Sequence, residues 1–359
     1  MTGLSLPEVT PSGHIVVGVD THKYAHVAAV LDTTAGLRST LSVSTDRNGF
    51  ERLLAWAGSF GRIIAFGIEG TGSYGASLTS FVRQHDITVI EVSRPDRRLR
   101  RLNGKSDTLD AENAARAVLS GAATAIPKVA SGTAEMVRQL KVAYDTAVKA
   151  RTAAMVTLKA MLIHAQDDLR ASTEGKTPVA LARTLARLRP GSLKDTTDSN
   201  RHVLRTLSRR WLSLDEEARS LDRMIHDLVQ KAVPQLVEAY GISTHIAAEI
   251  LIVVGDNPER IKSEAALAKL AGVSPIPASS GMTSGRYRIN RGGHRQLNAA
   301  IYRAAIVRMR SHEPTKAYVA RRTAEGKTKR DIVRCLKRYI VREVYRLLRH
   351  GPKLTKYTT

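Results

Sequence analysis

The chain has 359 residues and a formal net charge of +23, with 56 Lys or Arg against 33 Asp or Glu. This length allows two or three domains, and so large a basic excess is typical of a protein that binds nucleic acid. Aromatic residues make up only 4%, which argues against base stacking as the main mode of binding. A single cysteine excludes an intrachain disulfide, and with no signal peptide or transmembrane pattern we expect a cytoplasmic, nucleoid-associated protein.

Residues 1–13 are predicted to form a flexible polar tail, and residues 14–125 a mixed α/β domain. Five short apolar runs predict strands: HIVVGV, AHVAAVL, LRSTLSVST, RIIAFGI and ITVIEV. Three helical patterns alternate with and follow the last two runs: NGFERLLAWAG, YGASLTSFVRQH and TLDAENAARAVLSG. The order of three strands, then helix, strand, helix, strand and helix is typical of a ribonuclease-H-like fold.

Residues 126–233 have a sustained helical period with few breakers. The two long stretches are AEMVRQLKVAYDTAVKARTAAMVTLKAMLIHAQ and SRRWLSLDEEARSLDRMIHDLVQKAV, separated by loop-like STEGKTP and RPGSLKDTTDSN. They predict two long antiparallel helices, forming a coiled-coil linker. Such a linker would serve either as a dimerisation element or as a hairpin within one chain.

Residues 234–359 are predicted to form a mostly helical domain. GISTHIAAEILIVVG followed by SEAALAKLAGVSP resembles a helix-hairpin-helix element, in which the turn at Gly241 would present backbone N–H groups to a DNA phosphate. An ordinary helical hairpin is the alternative. Residues 282–359 contain 21 Lys or Arg and 4 Asp or Glu, and a second basic run occupies residues 94–105. Charge clustered in this way indicates specific polyanion contacts.

Four acidic residues stand where a two-metal site would need them. Asp20 and Glu69 end the first and fourth predicted strands, which lie side by side in a ribonuclease-H-like sheet. Asp107 and Asp110 are three apart, so both project from one face of the following helix. Together the four carboxylates predict a site for two Mg²⁺ ions, which prefer oxygen ligands and promote phosphoryl transfer.

Each acid also has a purely structural interpretation. Asp20 would simply end its strand, Glu69 would orient the turn GTGSYG, Asp107 would N-cap its helix and Asp110 would be a solvated residue. The segment VGVDTHK also resembles the first phosphate loop of actin-like ATPases and sugar kinases. The second phosphate loop and the adenosine motif of those proteins are not found before the long helices, so the joint interpretation as a metal site is preferred.

Nearly the whole chain, from about residue 14 to 350, resembles the Piv-type DEDD transposases and DNA invertases of bacterial insertion sequences. The N-terminal match consists of GVDTHK, GIEGTGSYG and KSDTLDAENAARA. The C-terminal match consists of LAKLAGVSPIPASSG, RINRGGHRQLNAAIYRAAIVRMR and RRTAEGKTKRDIVRCLKRYIVREVY. The resemblance implies a RuvC-like domain, a coiled-coil linker and a C-terminal transposase domain, with the four acids as the Mg²⁺ site.

The resemblance also implies a nucleophilic serine before a glycine, which is Ser280 in GVSPIPASSG, with Ser279 as an adjacent alternative. Val273 stands where leucine is commoner, and His294 occupies a variable position to which no role is given. A serine hydroxyl near Mg²⁺ would attack a DNA phosphate and conserve its energy in a phosphoserine bond. From spacing alone, Ser280 would be an ordinary turn residue. The serine and the acids lie in different predicted domains, so domain docking, within or between subunits, would assemble the site.

Basic residues on either side of these motifs are predicted to bind nucleic-acid phosphates through their multi-donor side chains, with a solvated basic face as the alternative. They are Arg97, Arg98, Arg100, Arg101, Lys105, Arg286, Arg288, Arg291 and Arg295. The resemblance further implies donor and target DNA, a noncoding bridge RNA as guide, and a homodimer or homotetramer. A RuvC-like junction nuclease that uses water as its nucleophile, and a basic nucleic-acid-binding scaffold, are the competing functions.

Overall fold

The computed structural model describes residues 13–92, 106–278, 287–289 and 292–350. The chain divides into two compact units, Met1–Lys128 and Val129–Thr359. Within the described ranges, every helix is too short or too polar to cross a membrane.

The first unit is a five-stranded sheet with helices on both faces. Its elements are β1 (His14–Thr21), β2 (Ala25–Asp32), β3 (Leu37–Ser44), α1 (Arg47–Gly58), β4 (Arg62–Glu69), α2 (Ala76–Gln84), β5 (Val89–Val92) and α3 (Asp107–Leu119). The predicted strands, helices and their order are confirmed. The sheet order is β3-β2-β1-β4-β5, with β1 antiparallel to β2 and parallel to β4. This mixed α/β architecture is consistent with a RuvC-like, ribonuclease-H-like domain.

Alternation along the central strands gives the sheet two buried faces. Val17 and Val19 of β1 pack with Phe66 of β4 against Phe50 and other apolar residues of the helices α1 and α2. Residues of the opposite parity face α3, whose contact surface is formed by alanines. Because β1 is covered on both faces, its sequence is almost continuously apolar. A carboxylate at the end of this strand is therefore held in a largely desolvated position.

In its described residues, the second unit contains helices and a short hairpin. It contains α4 (Thr133–Leu162), α5 (Asp167–Thr173), α6 (Pro178–Leu185), α7 (Thr196–Ala232), α8 (Pro234–Val237), α9 (Thr244–Val254), a 3₁₀ turn (Pro258–Arg260), α10 (Glu264–Leu270), β6 (Pro275–Pro277), β7 (Tyr287–Ile289), α11 (Arg295–Ser311), α12 (Glu313–Ala324) and α13 (Lys329–His350).

The helices α4 and α7 run antiparallel along each other, as predicted. Asn200 donates to the Met161 carbonyl at 3.0 Å near one end, and Arg151 pairs with Asp215 at 2.6 Å farther along. Val137, near the start of α4, shares a core with Val229, near the end of α7. The pair is therefore a hairpin within one chain, and its use in dimerisation stays a prediction.

Two details of this hairpin differ from the sequence prediction. The segment TTDSN, predicted as loop, is the first turn of α7, because Asp195 N-caps the helix and accepts from the Asp198 amide at 2.8 Å. The short helices α5 and α6 were not predicted, and they close the open end of the hairpin over a small core that includes Leu158 and Leu204. Helices of seven and eight residues are too short to give a clear period.

The C-terminal helices share one core with the adjoining ends of α4 and α7, on both sides of the predicted boundary at residues 233 and 234. The turn at Gly241 has a left-handed φ of +75° and packs against α11, where Arg308 donates to the Tyr240 carbonyl at 2.8 Å. Helices α9 and α10 correspond to the two segments of the predicted helix-hairpin-helix element. Its role in binding DNA stays a prediction.

Candidate active site

Asp20 and Glu69 lie at the ends of adjacent parallel strands. Gly18 of β1 pairs with Gly67 of β4, and Val19 with Ile68, so the next residue of each strand carries a carboxylate. Both acids are buried, with 7% and 6% of their surface exposed. Since carboxyl ends of neighbouring parallel strands share one edge of a sheet, this register brings the two predicted acids to the same place.

Two glycines allow α3 to lie unusually close to this part of the sheet. A Cβ atom on Gly18 would collide with the Ala111 carbonyl oxygen and the Ala115 amide. A Cβ on Gly67 would lie 2.8 Å from the Ala114 carbonyl oxygen. Because Gly18 and Gly67 are register partners, they form one smooth patch across both strands, and the alanine face of α3 packs on it.

The N-terminus of α3 faces the carboxyl ends of β1 and β4. Ser106 occupies the N-cap position, so the alternative in which Asp107 caps the helix is wrong. Asp107 and Asp110 instead lie in the first turn, where the helix dipole stabilises negative charge. Asp107 is half exposed, whereas Asp110 is partly buried.

His22 links the end of β1 to α3, a role that was not predicted from the sequence. Its Nε2 atom lies 3.2 Å from Asp20 Oδ2 and 3.5 Å from Asp107 Oδ2. Among the described residues, Asp20, His22 and Asp107 form a group whose ligand atoms all lie within 4.8 Å of one another. His22 follows directly after β1. The spacing Asp-Thr-His was the available sequence signal, because residues two apart along an extended chain point to the same side.

The electrostatics of Asp20 reflect how closely the acids gather. Burial raises the pKa of Asp20 above its ordinary value, and Glu69, Asp110 and Asp107 raise the pKa further, whereas His22 opposes them. Glu69, Asp110 and Asp107 are therefore all near enough to act on Asp20. Glu69 and Asp110 lie outside the tightest group of three. The assignment of all four acids as metal ligands stays a prediction.

The loop after β4 is joined to the end of β1. Thr21 donates from Oγ1 to the Glu69 carbonyl at 2.8 Å, and Gly70 adopts a left-handed φ of +69°. The turn continues to Gly75, which is the N-cap residue of α2. These contacts fix the backbone of Glu69 relative to that of Asp20, so the GTGSYG motif supports the acidic cluster.

The donor set of this cluster fits a divalent cation. Asp20, His22 and Asp107 bring two carboxylates and an imidazole together, and Glu69 and Asp110 act on Asp20 from nearby. Burial and these neighbouring acids disfavour the ionised form of Asp20. A bound cation would relieve that repulsion, because a neighbouring positive charge favours an ionised carboxylate. Oxygen ligands suit Mg²⁺, and the imidazole is a ligand that Mn²⁺ and other transition metals also accept.

Several predicted site residues lie outside the described residues. These are Ser279, Ser280, Arg97, Arg98, Arg100, Arg101, Lys105, Arg286 and Arg291. Arg288 and Arg295 are described, and both are exposed. Arg288 lies in β7, opposite Ile276 of β6, and Arg295 begins α11. In sequence, Ser280 therefore falls between the two strands of the hairpin.

Two family models match successive parts of the chain. The DEDD transposase model of IS110 elements matches residues 17–167, and the model described as the transposase IS116/IS110/IS902 family matches residues 234–320. The first match contains all four predicted acids, and the second contains both candidate serines.

Curated relatives come from insertion elements of Streptomyces and Mycobacterium. The uncharacterized 43.6 kDa protein of insertion element IS110 from Streptomyces coelicolor is 30% identical over 42% of this chain and 37% of its own length. The uncharacterized 42 kDa protein of IS900 from Mycobacterium paratuberculosis is 28% identical, over 41% of this chain and 37% of its own. The alignments thus span little more than a third of these relatives. On the two family matches and the insertion-element relatives together, the chain belongs to the IS110 family of transposases.

Proposed function

We propose that the protein is a site-specific DNA recombinase that transposes an insertion sequence by cutting and rejoining DNA through a phosphoserine intermediate. The observation that carries this proposal is the convergence of Asp20, Glu69, Asp107 and Asp110 at one end of the sheet of a DEDD-type transposase. The strongly basic composition supports a DNA substrate.

A DEDD-type site suggests a divalent metal, and we infer Mg²⁺. Asp20, Asp107, Glu69 and Asp110 would hold it, with His22 against the first two. When bound, the ion supplies charge neutralisation and polarisation at the scissile phosphate. The chain itself contributes a desolvated position for Asp20 and a helix N-terminus that favours anionic groups.

Ser280 is the proposed nucleophile. Its hydroxyl oxygen would form a bond to a DNA phosphorus while the bond from that phosphorus to one flanking nucleotide oxygen breaks. The serine proton passes to a base, and the released nucleotide oxygen takes up a proton and becomes a free DNA hydroxyl. A free DNA hydroxyl then attacks the phosphoserine, which releases Ser280 and restores a phosphodiester. The number of phosphoester bonds is conserved, so strand exchange proceeds without a nucleotide cofactor.

Arg288 and Arg295 support phosphate contacts close to this serine in sequence, because both are exposed and available to solvent. The partners proposed are donor and target DNA, a noncoding bridge RNA that guides site choice, and further copies of the chain in a dimer or tetramer with α4 and α7 as the coiled coil. The RNA and the oligomer rest on the family resemblance.

The test is a covalent-capture assay with supercoiled donor and target DNA, the RNA from the element's flank and Mg²⁺, followed by denaturation. We expect a protein–DNA adduct that is abolished in Ser280→Ala and in Asp20→Ala, while both variants still bind nucleic acid. Ser279→Ala is the matched control and keeps the adduct. Cleavage without an adduct, unaffected by Ser280→Ala, would identify a RuvC-like nuclease that uses water. Binding of nucleic acid without Mg²⁺-dependent cleavage would identify the protein as a nucleic-acid-binding scaffold.

A further inference from the structure

The short hairpin of β6 and β7 leads into and out of the segment that contains Ser280. Pro275 pairs with Ile289 at its base, and Pro277 with Tyr287 at its far end. The chain enters the hairpin from the end of α10 and leaves it toward α11. Any group that fixes these two connections also fixes the described chain on either side of the segment that contains Ser280.

The entering and leaving connections touch each other through their backbones. The His294 amide donates to the Leu270 carbonyl at 2.7 Å. Gly293 lies so close to Gly272 that a Cβ atom on Gly293 would collide with the Gly272 backbone. The hairpin therefore starts and ends at one crossing point.

Two side chains, one from α11 and one from α13, hold this crossing point in place. Asn298 of α11 donates through Nδ2 to the Ala271 carbonyl at 2.7 Å and to the Gly272 carbonyl at 3.2 Å. Lys337 of α13 donates through Nζ to Asn298 Oδ1 at 2.7 Å. Lys337 is 9% exposed, and burial followed by the charge of Arg334 lowers its pKa.

The donor chemistry of lysine determines which way the side-chain amide of Asn298 is turned. An amide side chain can present either its oxygen or its NH₂ group to a neighbour, whereas an ammonium group only donates. Lys337 therefore binds the oxygen of Asn298 and leaves the NH₂ group for the two carbonyls at the end of α10. Burying a lysine is costly, and an apolar residue in the same core would avoid that cost, so a lysine at this position points to a specific task.

We propose that Lys337 and Asn298 are positioning residues for strand transfer, which clamp the crossing point at Gly272 and thereby orient the serine-bearing hairpin. This role rests on the proposed function, because it matters for the reaction only if Ser280 is the nucleophile. Neither side chain touches DNA or the reacting atoms in this role.

The test compares Lys337→Met, which keeps the buried chain but cannot donate, with Lys337→Gln, which restores a neutral donor. Lys316→Met, at an exposed lysine of α12, is the control. We expect Lys337→Met to slow covalent-adduct formation at saturating DNA by about tenfold to a hundredfold, as for a nucleophile held slightly out of place. DNA affinity and melting temperature stay near wild type, and Lys337→Gln recovers most of the rate.

Asn298→Asp provides a second variant. It keeps a partner for Lys337 but presents only acceptors to the two carbonyls, so it should lose the rate as Lys337→Met does. Amide hydrogen exchange in the metal-free, DNA-free protein is the independent readout. Exchange should increase at residues 271–277 and 292–298 in Lys337→Met and in Asn298→Asp, and stay low in Lys337→Gln.

An unchanged adduct rate in Lys337→Met would overturn the positioning role of Lys337 and leave the proposed recombinase function intact. A parallel loss of rate, affinity and melting temperature that Lys337→Gln does not recover would also overturn it, in favour of a general structural role. If the wild-type protein forms no Ser280-dependent adduct, the proposed function fails and the reaction role fails with it.

Discussion

Asp20 and His22 form a close pair within the acidic cluster, with His22 Nε2 3.2 Å from Asp20 Oδ2. The imidazole lies near two carboxylates at once, and burial makes the ionised form of Asp20 costly. In the metal-free protein His22 therefore offsets part of the repulsion between the acids. His22 is half exposed, so solvent screens its contribution.

This pairing predicts a coupling that a double-mutant cycle can measure. We expect His22→Ala to destabilise the metal-free protein by about 0.5–1 kcal/mol, the range of a partly exposed ion pair. Asp20→Asn should be neutral or stabilising, since it removes a buried anion. In the double variant most of the His22→Ala penalty should disappear. Urea denaturation in a chelator gives all four values.

The same variants report on the proposed metal. Mg²⁺ at a hundred times its dissociation constant should stabilise the wild-type protein by about 2.7 kcal/mol. Asp20→Asn should lose this gain, whereas Asp167→Asn, at an exposed acid of α5, should keep it. Equal stabilisation of both variants by Mg²⁺ would place the ion elsewhere.

At the scale of elements, the approach of α3 to β1 and β4 decides whether the acids meet. The approach depends on the absence of side chains at Gly18 and Gly67 and on the alanines that face them. The sequence shows these as small residues in apolar runs, but only the strand register shows that the two glycines are neighbours.

We expect Gly18→Ala to destabilise the protein by about 1–3 kcal/mol, because the added methyl group overpacks the contact with α3. The helix must then shift, and Asp107 and Asp110 with it, so Mg²⁺ affinity should fall as well. Gly58→Ala, at the end of α1 with no atoms near the new methyl group, is the control and should be neutral or slightly stabilising. Equal effects of the two substitutions on stability, measured by urea denaturation, would contradict this account.

The antiparallel hairpin of α4 and α7 shows what helical periodicity can and cannot predict. Long helices with a sustained apolar stripe were recognised from the sequence. Their pairing within the chain follows from contacts such as Arg151 with Asp215, between residues far apart in sequence. The helices α5 and α6 were missed because each is only about two turns long.

At the scale of the whole molecule, charge is the dominant feature. A net charge of +23 implies that counterion release contributes much of the affinity for nucleic acid. The described C-terminal helices contribute exposed arginines at Arg295, Arg334 and Arg342. The last two are paired with Asp331 and Glu264, so part of the basic surface is internally neutralised.

DNA affinity should therefore fall steeply between about 50 and 200 mM salt. Replacing Arg288 or Arg295 with alanine should reduce the slope of log affinity against log salt by about 0.9 each, the value for one lost phosphate contact on duplex DNA. Arg47→Ala is the control, because Arg47 is exposed on α1 and paired with Glu51. Fluorescence anisotropy over this salt range checks the slopes, and a slope unchanged in both variants would remove these arginines from the interface.

The sequence by itself determined the elements of the first unit, their order, the end-of-strand positions of Asp20 and Glu69, and the transposase family. These features depend on local periodicity, on alternation along a strand and on motifs of a few residues. Only the tertiary structure decided that His22 meets Asp20 and Asp107, that Gly18 and Gly67 form one patch, and that Lys337 reaches Asn298. Such contacts depend on how separate elements pack, and packing is a property of all the residues that share a core.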